Sequence, residues 1–242
     1  MKIITKFTTS VREVGFGNTL AKIPNRLVSR SMRLNIDRQF DRKYGVDTSG
    51  IIYPSRLDIS DTQKKTAKEY EPTPVIAVQH ILKSLLIDHS QYTFVDFGSG
   101  KGRVLLLASE YPYSNVIGVE LSPALHHTAE INIKIWQRLG RIKCRTVQSI
   151  RMDATEFKLP QEPLVLFFFT PFEVPIANRV VRNISADFEK NPRPIRIVYY
   201  GGRPEFLNVL AQTKFSRKEI YSHRPLAAIR HYRGYVFSSE TA

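Results

Sequence analysis

Short apolar runs recur along the chain, set between stretches whose apolar residues return every three or four positions. Tyr92-Thr93-Phe94-Val95 is compact and rich in β-branched and aromatic residues, the pattern of a buried strand. Val104 to Ser109 continues into good helix formers, so a helix begins there and runs to about Glu110. Val116 to Val119 predicts a second strand, and Pro123 to about Leu139 a helix with Ile131, Ile135 and Trp136 in the core. Cys144 to Ile150 and Leu164 to Phe169 predict the third and fourth strands, with a helix from Glu173 to about Phe188 after them. Ile195 to Tyr200 is a fifth strand closed by Gly201-Gly202, and Pro204 to Ala211 a short helix. Phe215 to Tyr221 and Ile229 to Phe237 are the last two strands, paired antiparallel. Such alternation predicts an α/β fold with a mainly parallel sheet.

Upstream the pattern changes. Val75 to Leu86 places Val78, Ile81, Leu82, Leu85 and Leu86 on one helical face, with Thr73 as N-cap and Pro74 at the first helical position. Asp61 to Glu69 is polar, the start of a helix or a mobile segment. Residues 1–60 form a basic extension, separate from a main domain over 61–242. It carries Lys2, Lys6, Arg12, Lys22, Arg26, Arg30, Arg33, Arg38, Arg42 and Lys43, with Glu13 the only acid before Asp37. Within it, Asn25 to Phe40 sets Leu27, Met32, Leu34, Ile36 and Phe40 among arginines, an imperfect amphipathic helix capping the main domain. Tyr44 to Gly50 is a loop by composition. An arginine-rich, acid-poor start also resembles an organelle transit peptide, the minority alternative to a cytoplasmic location.

Composition narrows the classes. Of 242 residues, 42% are hydrophobic, enough for a sizeable core, and no apolar run reaches the length of a membrane span. One cysteine, Cys144, excludes an internal disulfide and a cysteine-based zinc cluster. The adjacent His126 and His127 lack metal-ligand spacing, so no metal is expected. The net charge of +14 favours acidic partners, nucleic acid or anionic membranes among them, against the plainer reading of solubility alone.

The chemistry concentrates between the first strand and the first helix of the main domain, in Asp96-Phe97-Gly98-Ser99-Gly100-Lys101-Gly102-Arg103. Strand, glycine turn and helix form the ligand-binding corner of an open α/β sheet. Arg103 occupies the final position of a dinucleotide fingerprint, where a small residue is needed, and Lys101-Gly102 does not fit a P-loop. Glu120, at the end of the second strand, is placed to accept hydrogen bonds from ribose hydroxyls. The plainer readings are a tight turn for the glycines, a solvated charge for Glu120, a loop or cap residue for Asp153, and an ordinary turn for Thr170-Pro171-Phe172.

The spacing Asp96-x-Gly98-x-Gly100-x-Gly102 resembles motif I of the class I, seven-strand S-adenosylmethionine (SAM) methyltransferases. Glu120, Met152-Asp153-Ala154 and Thr170-Pro171-Phe172 follow in that family's order, over roughly Tyr70 to the C-terminus. The resemblance implies a Rossmann-like, doubly wound seven-stranded sheet with an antiparallel last strand, and SAM as methyl donor. It implies that Asp96, Gly98, Ser99, Gly100 and Gly102 line the methionine and ribose, that Glu120 takes the ribose and Asp153 the adenine, and that Thr170 and Phe172 face the acceptor. Tyr70-Glu71-Pro72 resembles the Tyr-x-Pro segment that folds over the cofactor in small lysine methyltransferases, adding Tyr70 and Thr73 to the cofactor side and Tyr70 to the acceptor side. With Phe40 to Asp47 upstream, the pattern is similar to small bacterial methyltransferases laid out like the protein-lysine methyltransferases of mitochondria and chromatin. Thr170 replaces that group's usual Asn. The expected function is methyl transfer to a nitrogen nucleophile, a protein lysine. The alternatives are an RNA or DNA N-methyltransferase that grips nucleic acid through the basic N-terminal segment, and an inactive basic binding module.

Overall fold

The computed structural model describes residues 30–222 and 233–239. The cations from Lys2 to Arg26, Leu27 and the transit-peptide reading lie outside the described residues, as does the start of the last strand at Ile229.

The described residues open with α1 (Arg30–Tyr44), and a short α2 (Asp61–Lys64) and α3 (Val75–Ser84) lead into the sheet. There β1 (Thr93–Phe97), α4 (Arg103–Ala108), β2 (Asn115–Glu120), α5 (Pro123–Arg138) and β3 (Thr146–Arg151) form the first half. The second half is β4 (Leu164–Phe168), α6 (Val174–Lys190), β5 (Ile195–Gly201), α7 (Pro204–Ala211), β6 (Ser216–Ser222) and β7 (Arg233–Ser238). The seven-stranded sheet has the order β3-β2-β1-β4-β5-β7-β6. All pairings from β3 to β5 are parallel, and β7 runs antiparallel to both β5 and β6. This is the Rossmann-like, doubly wound sheet expected from the sequence, with one reversed strand. The chain leaves β1 toward β2 on one side and returns to β4 on the other, so the strand order switches beside β1, where open α/β sheets bind ligands.

Side chains alternate across the sheet and build two cores. Phe94, Val116, Val165, Phe167, Val198 and Tyr200 face α3, α4 and α5. Val95, Phe97, Leu164, Leu166, Phe168, Ile197 and Tyr199 face α6 and α7. Every residue of β1 and β4 is buried, the near-continuous apolar pattern of strands covered on both faces.

Residues 36–49 are woven into the first core. Ile36, Phe40 and Val46 are buried in it, and Phe40, Tyr44 and Trp136 form a ring cluster with centroids 4.9 to 5.7 Å apart. Asp41 accepts hydrogen bonds from the Thr48 and Ser49 backbone N–H groups at 2.8 and 2.6 Å and from both hydroxyls. Asn132, buried on α5, accepts from the Asp47 N–H at 2.9 Å and donates to the carbonyls of Asp47 and Lys101 at 2.8 and 2.9 Å. Lys101 of the glycine turn reaches Asp47 at 2.7 Å. The segment is a clasp holding the glycine turn from behind.

Several expectations are corrected. Thr73 is not the N-cap of α3: Pro74 holds that position with an extended backbone, its carbonyl accepting from Val78. Leu86 lies past the helix end at φ +49° and is 91% exposed, because the left-handed turn swings it off the apolar face. Ile131 is 44% exposed, since Leu125, Ala129, Asn132, Ile133 and Trp136 take the buried stripe of α5. The N-terminal helix runs on past Phe40 to Tyr44, and β3 begins at Thr146 because Lys143 and Cys144 donate instead to Ser109.

Candidate functional site

The backbone leaves β1 at Phe97 and turns back through Gly98, Gly100 and Gly102, at φ +74°, +55° and +84°. These are left-handed values that glycine adopts without strain. Gly98 and Ser99 donate to the Val119 carbonyl at 2.9 and 3.2 Å, pinning the turn to β2. A Cβ at Gly98 would stand 2.6 Å from Pro171, and one at Gly100 would run into the Tyr70 ring. Gly102 serves a different contact. It is the N-cap of α4, and a Cβ there would meet Ala129 of α5 at 3.0 Å.

Above the turn is a cavity of about 370 Å³, a volume within the range of small-ligand sites. Tyr70, Thr73, Asp96, Gly98, Ser99, Gly100, Glu120, Asp153, Thr170 and Phe172 all line it. Of the residues singled out in the sequence, Gly102 alone does not. Lys68, Phe169 and Arg179 also border the cavity, without having been distinguished by any motif.

The carboxylates differ in their engagement. Glu120 is buried, and each oxygen accepts a backbone N–H: Gly100 at 2.8 Å and Ser122 at 2.9 Å. It therefore closes the glycine turn onto the start of α5, and keeps lone-pair capacity for a ligand. Burial pushes its pKa up, against the pull of those backbone bonds. Asp96 is only 3% exposed, and among the described residues no hydrogen bond reaches its carboxyl. Burial first, and Glu120's charge second, raise its pKa well above the usual carboxylate range. Asp153 Oδ1 accepts from the Thr155 N–H and hydroxyl, both at 2.8 Å, an Asx turn that fixes the wall beyond β3.

The opposite wall is the segment before α3. Tyr70 exchanges backbone hydrogen bonds with Ile52 at 3.1 and 2.8 Å, lays its ring on Gly100, and donates its hydroxyl to the Thr48 carbonyl at 2.6 Å. Ala67 bridges to Phe172, and Glu173 donates its N–H to the Thr66 carbonyl at 3.3 Å. Lys68 pairs with Glu173, and burial, then the nearby Arg203 charge, lower its pKa. At the far side Thr170 sits at φ +44°. A β-branched residue there is strained, and such strain gathers at functional sites. Its hydroxyl lies 3.4 Å from the Tyr199 hydroxyl, close over Gly201, where no side chain fits.

Arg103 borders the cavity, yet its guanidinium is committed elsewhere. It reaches Asp37 at 2.7 Å, the Thr48 hydroxyl at 2.8 Å and the Thr73 carbonyl at 3.3 Å, with Asp41 at 3.7 Å. The long side chain that spoils a dinucleotide motif here ties α4 to the clasp and leaves the corner open. Among the described residues no cluster of histidine, cysteine and carboxylates fits a metal ion.

No family model and no curated protein matches the chain. Solved structures with a similar course include an RNA methyltransferase from Salinibacter ruber in complex with S-adenosyl-L-homocysteine, at 18% identity over 69% of this chain and 91% of that one, TM-score 0.43. A precorrin-8w decarboxylase from Methanobacterium thermoautotrophicum matches at 20% identity, over 70% and 92% of the chains, TM-score 0.49. A SAM-dependent methyltransferase from Aquifex aeolicus matches at 14% identity, over 66% and 88%, TM-score 0.48. All lie below 25% identity and below a TM-score of 0.5, and none identifies the activity of this chain.

Proposed function

We propose that this protein is a SAM-dependent methyltransferase that acts on a nitrogen nucleophile, the side-chain amine of a protein lysine. The observation that carries the donor assignment is Asp96, a buried carboxyl without a protein hydrogen-bond donor among the described residues, facing a glycine-lined cavity at the switch point of the sheet. A buried charge of that kind is costly unless a cation meets it. SAM supplies such a cation in its α-ammonium group, together with an electrophilic methyl on a sulfonium. Gly98 and Gly100 let Pro171 and the Tyr70 ring pack onto the turn as walls of the donor pocket, the remaining lone-pair capacity of Glu120 suits ribose hydroxyls, and Asp153 lies beyond for the base. Catalysis of this kind asks the protein for alignment and for exclusion of water rather than for a covalent partner.

On the acceptor side, Lys68 shows what the mouth does to an amine. Burial and the Arg203 charge hold its pKa below the ordinary lysine value. An acceptor lysine entering the same surroundings is driven toward its neutral, nucleophilic form. Phe169 and Phe172 border that approach.

Incubating a cell lysate with the protein and tritiated SAM tests the acceptor class. Label in protease-sensitive, nuclease-resistant material is the expected outcome, with incorporation rising with pH as the acceptor amine deprotonates. Label confined to nuclease-sensitive material makes the acceptor a nucleic acid.

A further inference from the structure

The loop between α5 and β3 lies at the amino-terminal end of the strands, the end opposite the cavity. It reads Arg138-Leu139-Gly140-Arg141-Ile142-Lys143-Cys144-Arg145, four cations without an acid. Arg138, Lys143 and Arg145 are exposed, and among the described residues none of the three has an ion pair. Arg141 is held in place: it pairs with Glu110, and its guanidinium lies 4.7 Å from the Tyr44 ring centroid and 4.9 Å from that of Trp136. The exposed Lys43 stands 4.9 Å from the same Tyr44 ring, so the end of α1 adds its charge to this face. In the middle, Leu139 is 48% exposed.

We propose that this face docks the protein on an anionic phospholipid surface. The cations meet the headgroups while Leu139 enters the boundary between headgroups and acyl chains, a combination of charge and apolar burial that peripheral membrane attachment uses. Leu139 decides between a bilayer and nucleic acid. A phosphate backbone offers an exposed leucine nothing, and the aromatic rings here cannot stack on bases, because Trp136 is fully buried and Tyr44 is covered by Arg141 and Lys43. Docked this way, the cavity mouth points away from the bilayer and stays open to an acceptor.

Co-sedimentation of the full chain with vesicles tests the assignment, using pure phosphatidylcholine and an equal mixture of phosphatidylcholine and phosphatidylglycerol. Binding is expected on the mixed vesicles alone and to weaken with salt. Basic residues ahead of α1 add to the total attraction, so the readout is the change caused by loop variants. Each neutralised cation weakens binding about fivefold, so Arg138→Gln with Lys143→Gln lowers it roughly 25-fold. Leu139→Ser lowers it about tenfold, and this loss persists at high salt. The three positions are exposed, so the melting temperatures of the variants are expected to match the parent and to separate lost docking from unfolding. Equal binding to both vesicle types, or no change in either variant, overturns the proposal. So does displacement of the protein by double-stranded RNA with Leu139→Ser neutral, which makes the face a nucleic-acid site. The mixture contains no methyl donor, so this outcome is independent of the proposed chemistry.

Discussion

Asp96 and Glu120 lie close enough for their charges to interact, and burial raises both pKa values. A raised carboxyl pKa means that the folded, ligand-free protein binds more protons than the unfolded chain between the unfolded and folded values. The stabilisation is fully present below the unfolded pKa and is lost as pH rises through the folded one. Asp96→Asn removes the larger of these penalties. Thermal melts from pH 4 to pH 8 should show the variant gaining on the parent as pH rises, with the curves converging at the acid end. A parent that gains on the variant toward alkaline pH contradicts the assignment of Asp96 as an uncompensated buried acid. The places of Asp96, the glycines and Glu120 were legible in the sequence, because they stand at the ends of two adjacent strands, where local pattern fixes position. Lys68 was not legible, since its lowered pKa comes from burial and from Arg203, which is far from it in sequence.

Among the elements, the clasp over residues 36–49 was the part the sequence hid. The octapeptide Phe40 to Asp47 stood out as a motif and its loop was evident, yet its contacts span 54 residues from Lys101 to Asp47, 55 from Arg103 to Thr48 and 85 from Asn132 to Asp47. Periodicity reports which face of a helix is apolar and not which distant loop it meets. The same limit explains Leu86 and Ile131, assigned to apolar stripes that the left-handed turn at Leu86 and the actual α5 stripe leave exposed. Arg103 joins the clasp to α4 through a buried pair with Asp37. Arg103→Met removes Asp37's buried countercharge and should cost about 3–5 kcal/mol, whereas adding Asp37→Leu recovers most of it. Chemical denaturation gives the energies. The fluorescence of Trp136, the single tryptophan, reports the clasp, and its emission should shift to the red when Phe40 and Tyr44 leave it. A single variant as stable as the parent would show that the pair contributes nothing.

In the whole molecule, the sheet order places the glycine turn, Glu120, Asp153 and Thr170 at one end of the strands and the basic loop with Leu139 at the other. The segment from Thr66 to Thr73 walls the cavity on one side, and hydrogen bonds of Tyr70 and Arg103 to Thr48 tie that wall to the clasp. The most direct measurement of the central claim is calorimetric titration of SAM into the parent and into Asp96→Asn at neutral pH. The parent should bind one equivalent. The variant should bind roughly 10- to 100-fold more weakly, the worth of one charge-assisted hydrogen bond. Equal affinity in both proteins, or no heat of binding in the parent, contradicts the account.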